Sequence, residues 1–117
     1  MNEAHQAAER WWATVERVAA LPIPEGQRSN EVMAHGSMQV KFYAPRGTDK
    51  QTPHTRDELY VVARGSGTFA REERRHPFGA GDVLFVPARM EHRFEEFTDD
   101  FATWVIFYGP EGGEQPD

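Results

Sequence analysis

The chain has no cysteine among its 117 residues. That absence excludes disulfides, thiolate nucleophiles and thiolate-bound metals, so any metal ion must sit among nitrogen and oxygen ligands. There is no run of eighteen apolar residues, and no membrane-spanning helix is predicted. Positive charge is in deficit: 13 Lys and Arg face 19 Asp and Glu, for a net charge of −6 and a pI near 5.3. This balance argues against nucleic acid and anionic membrane as partners, although arginines gathered locally leave the charge of a small ligand open. The N-terminus sets Asn2, Glu3 and Gln6 among alanines, without the basic region and apolar core of a secretory signal, and a cytoplasmic protein is expected. Solenoid-length repeats and internal linkers are also lacking. The length suits one domain with a single core, small enough to gain from pairing, and a homodimer is expected.

What the chain does have is a concentration of metal-capable side chains at residues 51–65, Gln51-Thr52-Pro53-His54-Thr55-Arg56-Asp57-Glu58-Leu59-Tyr60-Val61-Val62-Ala63-Arg64-Gly65. On one straight strand His54 and Glu58 would share a face but stand roughly 13 Å apart, too far to share an ion. If Thr55-Arg56-Asp57 is instead a three-residue hairpin loop, His54 closes one strand, Glu58 opens the next, and the two side chains meet across the pair. A second stretch, Gly81 to Phe94, reads as a Gly81-Asp82 turn, a short apolar strand from Val83 to Val86, and a loop from Pro87 that delivers His92 to a further strand.

Together these stretches resemble the paired motifs of the cupin superfamily, in its small single-domain form. The first cupin motif has two histidines one residue apart, a glutamate four or five residues on and a glycine after six more; His54, Glu58 and Gly65 match its last three positions. The second has a glycine, five residues, a proline and a histidine five places on, matched by Gly81, Pro87 and His92. Thr52 occupies the position of the first motif's first histidine, while Arg89 and Glu96 stand where a glycine and an asparagine are common. The resemblance implies an all-β fold, a double-stranded β-helix or jelly-roll barrel. It also implies a mononuclear divalent transition metal, Fe, Mn, Ni or Zn, held by His54, Glu58 and His92. Thr52 or Gln51 would supply a weak further ligand or leave that place to water, and Asp57, Gln51 and Thr52 are the nearest candidates to hold the imidazoles in place.

Along the chain, residues 1–24 are expected to form an N-terminal helix (Asn2 to Leu21) and linker packed on the barrel. Ala8, Trp12, Val15 and Ala19 lie on one stripe, Trp11 and Trp12 serve as anchors on the barrel or a partner subunit, and Pro22 and Pro24 end the helix. Residues 25–109 would be the barrel. Strands are predicted over Glu31 to Ala34 and Met38 to Ala44, with His35 in the turn between them, then over Glu58 to Ala63, Thr68 to Arg71, Arg74 to Phe78, His92 to Phe97 and Phe101 to Tyr108. His76 reads as a surface strand residue, Gly65-Ser66-Gly67 as a turn and not a phosphate cradle, and Pro45 to Lys50 as a surface loop carrying Asp49. Residues 110–117, rich in glycine, proline and acid, are expected to form a flexible tail. Alternation places Phe42, Tyr60, Phe94 and Trp104 in the apolar wall of a pocket for a small-molecule ligand.

Two imidazoles and a carboxylate form the facial set that leaves open positions on an ion. Three functions fit it: a metal-dependent enzyme of dioxygenase, isomerase or lyase type; a non-catalytic metabolite-binding or sensing module; and a metal-free barrel using the same groups as acid and base. No residue is assigned a catalytic role from sequence, and whether the protein is an enzyme stays open.

Overall fold

The computed structural model describes residues 7–115. Eight strands follow in order: β1 Asn30–His35, β2 Met38–Tyr43, β3 Asp57–Arg64, β4 Ser66–Arg71, β5 Arg74–Gly79, β6 Val83–Val86, β7 His92–Glu95 and β8 Ala102–Tyr108. They form a five-stranded sheet in the order β1-β2-β8-β3-β6 and a three-stranded sheet in the order β5-β4-β7. Every pairing is antiparallel. The β1–β2 and β4–β5 hairpins lie where polar and glycine-rich pairs, Gly36-Ser37 and Glu72-Glu73, interrupt alternating apolar residues. The fold is the expected double-stranded β-helix.

The interior between the sheets is aromatic. The Phe94 ring lies 4.9 Å from Tyr60, 5.1 Å from Phe69, 5.4 Å from Phe78 and 4.7 Å from Phe101, centroid to centroid. Most of these contacts are edge-on or tilted, as ring quadrupoles favour, and each pair adds about 0.5–1.5 kcal/mol to the burial of its area. Gly65 closes one end of this core with φ +83°; a Cβ there would meet the Phe101 Cα at 2.6 Å. The motif glycine is therefore needed twice, for its left-handed backbone and for the close approach of the segment before β8.

A second apolar cluster, Val18, Val32, Phe42 and Ala102, lies on the outer face of the five-stranded sheet, with Trp104, Val40, Ala13 and Val15 packed against it. The N-terminal segment covers this face, but not as the continuous helix expected from Asn2 to Leu21. Residues 7–9 are helical, residues 10–14 are not, and helix α1 spans Val15–Ala19; residues 2–6 of the expected helix lie outside the described residues. Thr14 divides the segment: its extended backbone and its Oγ1, which accepts from the Arg17 amide at 3.2 Å, make it an N-cap, so local capping overrides the periodic stripe. Buried Asn30 secures the other end, donating from Nδ2 to the Val18 and Leu21 carbonyls at 3.0 and 3.3 Å. Trp11 and Trp12 are not anchors within this chain; Trp11 is 84% exposed, and Trp12 is half exposed beneath the Arg17 guanidinium.

Part of the expected tail makes backbone contacts with the barrel. Thr55 O accepts from Gly112 N at 2.6 Å, and the Asp57 carboxylate accepts from Glu114 N at 2.8 Å, which ties residues 112–114 to the start of β3.

Candidate metal centre

Strand register decides which side chains meet inside the barrel. In β3, Glu58, Tyr60 and Val62 stand opposite Phe107, Val105 and Thr103 of β8, whereas Leu59 and Val61 stand opposite Ile106 and Trp104. The first set faces inward. Glu58 and Tyr60 are completely buried.

His54 arrives differently from the expected hairpin. Residues 44–56 form a loop, and β3 begins at Asp57, so no strand ends at His54. Its backbone carbonyl accepts from Arg89 N at 2.6 Å, and its ring lies edge-on to Phe107 at 5.0 Å. These contacts bring His54 Nδ1 to 2.9 Å from Glu58 Oε1. His92 opens β7, with its Nδ1 at 2.9 Å from the Met90 carbonyl. Since a carbonyl only accepts, Nδ1 carries the proton and donates, and Nε2 is turned inward. Nε2 then lies 2.9 Å from the same Glu58 Oε1 and 3.0 Å from the Tyr60 hydroxyl. One ligand atom from each of His54, Glu58 and His92 falls within 4.8 Å of the others.

Burial and hydrogen bonding act on this trio in opposite senses. Burial alone would raise the Glu58 carboxyl, but the hydrogen bonds from both imidazoles outweigh it and hold the pKa below the usual carboxylate value. For His92, burial disfavours the cation, yet the hydrogen bond to Glu58 prevails and its pKa is raised. Burial, reinforced by the charge of Glu58, pushes the Tyr60 phenol well above its ordinary range, so Tyr60 stays protonated. Among the described residues, Glu58 Oε2 is buried without a hydrogen-bond partner.

The Tyr60 hydroxyl donates to Gln51 Oε1 at 3.0 Å, and Gln51 Nε2 donates to Asp49 Oδ2 at 2.6 Å. Asp49 is buried, not a solvated loop residue as expected; it also accepts from the Tyr43 hydroxyl and from Phe94 N at 2.8 Å. No periodic pattern marks it, because it lies in an irregular loop. Its neighbours Tyr43 and Gln51, each able to donate, were the only hint.

A cavity of about 130 Å³ opens beside the trio, lined by Arg28, Lys41, Tyr43, Thr52, His54 and Phe107, among others, with Glu58 also on its wall. Thr52, at the position of the family's first histidine, faces this cavity. Gln51 both lines it and holds Tyr60 in place. Asp57 does neither: its carboxylate accepts from Ala88 N and Glu114 N, each at 2.8 Å, away from the imidazoles. Of the expected pocket wall, Tyr60 and Phe94 are inside the core, with Tyr60 reaching the trio through its hydroxyl. Phe42 and Trp104 pack edge-on to each other at 5.2 Å on the outer face, not in the pocket. Their neighbours along each strand, Lys41 and Val105, face the cavity instead. Alternation identified two faces of β2 and β8; the more apolar one proved to be the outside of the barrel, covered by the N-terminal segment.

A small jelly-roll barrel with two imidazoles and a carboxylate converging at its mouth is the architecture of a cupin. The cupin domain family model matches residues 40–108, and the chain belongs to that family. It is 34% identical over 77 residues to an uncharacterised protein of Streptomyces coelicolor, covering 64% of this chain and 73% of that protein. Among solved structures, a cupin 2 conserved barrel domain protein from Salinispora arenicola CNS-205 superposes with a TM-score of 0.63 at 20% identity, covering 86% of this chain and 89% of that one. A chain from a structure of DMSP lyases superposes with a TM-score of 0.61 at 22% identity over 71% of this chain, which spans 47% of that chain's length. At these identities the structural likeness is one of fold.

Proposed function

We propose that this cupin holds one divalent transition metal, Fe, Mn, Ni or Zn, through His54, Glu58 and His92, and acts on a small organic molecule in the adjoining cavity. The observation that carries this reading is the buried Glu58 carboxylate: Oε1 is shared by two imidazoles, while Oε2 has no partner. A buried polar atom left unpaired is costly unless something else satisfies it. The donor set, two nitrogens and an oxygen without sulfur, suits such an ion and leaves open positions. When bound, the metal would supply Lewis-acid polarisation of a carbonyl or carboxyl oxygen.

The chain's own residues divide the remaining work. The Met90 carbonyl fixes the His92 tautomer, with Nε2 as the ligating atom. Tyr60, whose proton goes to Gln51, packs its ring against His92 from the core side, with centroids 6.0 Å apart. Phe107 and Val105 limit water at the cavity wall, while Thr52 leaves room where the family's first histidine would stand. Proton-handling groups in mutual hydrogen-bond contact favour acid–base chemistry of lyase or isomerase type. The DMSP lyase neighbour carries lyase activity in its name and this fold in its structure.

Elemental analysis of protein purified without tag or chelator tests the reading, with about one ion per chain expected. His92→Ala should abolish it, whereas less than about a tenth of an ion per wild-type chain, unrestored by added metal, would point to metal-free acid–base chemistry. Oxygen consumption by the loaded protein with substrate would redirect the assignment from lyase or isomerase to dioxygenase.

A further inference from the structure

The cavity wall carries a charge opposite to that of the protein. The net charge is −6, yet Arg28 and Lys41 both line the cavity, and Glu58 is its only carboxylate among the described lining residues. Glu58 is already engaged by two imidazoles. Neither cation is paired with a carboxylate among the described residues. The Arg28 guanidinium donates from one nitrogen to the Lys50 carbonyl, which anchors it, while Lys41 Nζ lies 5.9 Å from the Phe107 ring centroid. Glu31 stands opposite Lys41 in the β1–β2 register but takes its hydrogen bond from Gln39. Two cations on one small concave wall, neither in an ion pair among the described residues, attract an anion, since field lines focus in a cleft with low-dielectric walls.

We infer that the ligand of this site is a small organic anion, with its carboxylate or phosphate group held by Lys41 and Arg28 and its reacting end directed to His54, Glu58 and His92. The inference rests on the proposed metal site for the reacting end, but not for the recognition of charge. Arg28 offers a planar fork of donors that matches either oxyanion, and Lys41 adds a compact charge beside the apolar Phe107 and Val105. The cavity, about 130 Å³, lies below the 300–1,000 Å³ usual for drug-sized ligands, so a molecule with a short carbon skeleton fits.

The test measures binding of butyrate, butyl phosphate and the neutral butyramide to wild type, Lys41→Gln and Arg28→Gln by calorimetry or ligand-observed NMR, with and without bound metal. Both substitutions fall on side chains that are at least partly exposed, and thermal melting checks that the variants stay folded. The expected result is butyrate or butyl phosphate binding at least tenfold tighter than butyramide, with each substitution reducing that preference several-fold in both metal states. Preference for butyrate would identify the anionic group as carboxylate, and preference for butyl phosphate as phosphate. Equal binding of butyramide would overturn the inference. So would an anion preference that vanishes on chelation and is untouched by either substitution, because the metal alone would then hold the anion. Failure to bind metal, with the preference and its loss in the variants intact, would reject the metal centre while upholding the anion site.

Discussion

The two faces of the five-stranded sheet are built from the same strands and do opposite things. Outside, Phe42, Trp104, Val40 and Ala102 form an apolar surface sealed by Val18 and Val15 of the N-terminal segment. Inside, one residue along each strand, Lys41, Tyr43, Glu58 and Val105 line a cavity with charged and hydrogen-bonding groups. A strand whose side chains alternate can thus serve packing on one side and chemistry on the other. The greasier face is the structural one.

The largest expected effect comes from breaking the outer face. Phe42→Ala should cost about 3–5 kcal/mol in denaturant unfolding, the usual loss for a buried phenylalanine, while metal per folded chain stays unchanged. Loss of metal together with stability would show that the two faces are not separable.

The inner face should respond to pH instead. In metal-free protein, the lowered Glu58 pKa contributes stability that is present above its ordinary value of 4.5 and is lost as pH falls through the folded value. The raised His92 pKa contributes stability that is present below 6.5 and is lost as pH rises through its folded value. Stability should therefore peak between about 4.5 and 6.5, by amounts smaller than the loss of Phe42. Phe42→Ala should lower the whole curve without changing its shape. Loaded with metal, which requires a neutral His92, the protein should move its optimum to higher pH. Thermal melts across pH, with and without metal, measure both curves.

The smallest effect belongs to neither face. Arg89 has φ 67° and Glu96 φ 49°, and these are the positions where the family commonly has glycine and asparagine, the residues that tolerate a left-handed backbone best. Arg89→Gly should stabilise the protein by up to about 1 kcal/mol, read as a small rise in Tm with metal content unchanged.

Much of this molecule was legible in its sequence. The eight strands followed from alternation, from the apolar runs at Val83–Val86 and residues 101–108, and from glycine, proline and polar interruptions, and His54, Glu58, Gly65, Gly81, Pro87 and His92 carried the family resemblance. His54, Glu58 and His92 do come together, but His54 arrives by a path that the local sequence does not show. A strand end was expected, whereas a thirteen-residue loop delivers the side chain, held by contacts with Arg89 and Phe107 that are distant in sequence. Phe42 and Trp104 were assigned to the pocket because period-two alternation separates two faces without saying which is concave. Asp49 was missed because a buried carboxylate in an irregular loop has the same local sequence as a solvated one. The N-terminal stripe looked helical throughout because periodicity does not register the capping strength of Thr14.

The placement of the aromatic residues also divides the molecule optically. Trp11 lies largely in solvent, Trp12 is half exposed and Trp104 lies on the covered outer face, so all three tryptophans are outside the cavity. Tyr43 and Tyr60 are inside, on the cavity wall and against the metal-capable trio. Indole emission should therefore follow the seating of the N-terminal segment and remain nearly silent when a ligand enters, whereas tyrosine absorbance should register occupancy of the site, giving two independent colours for two independent events.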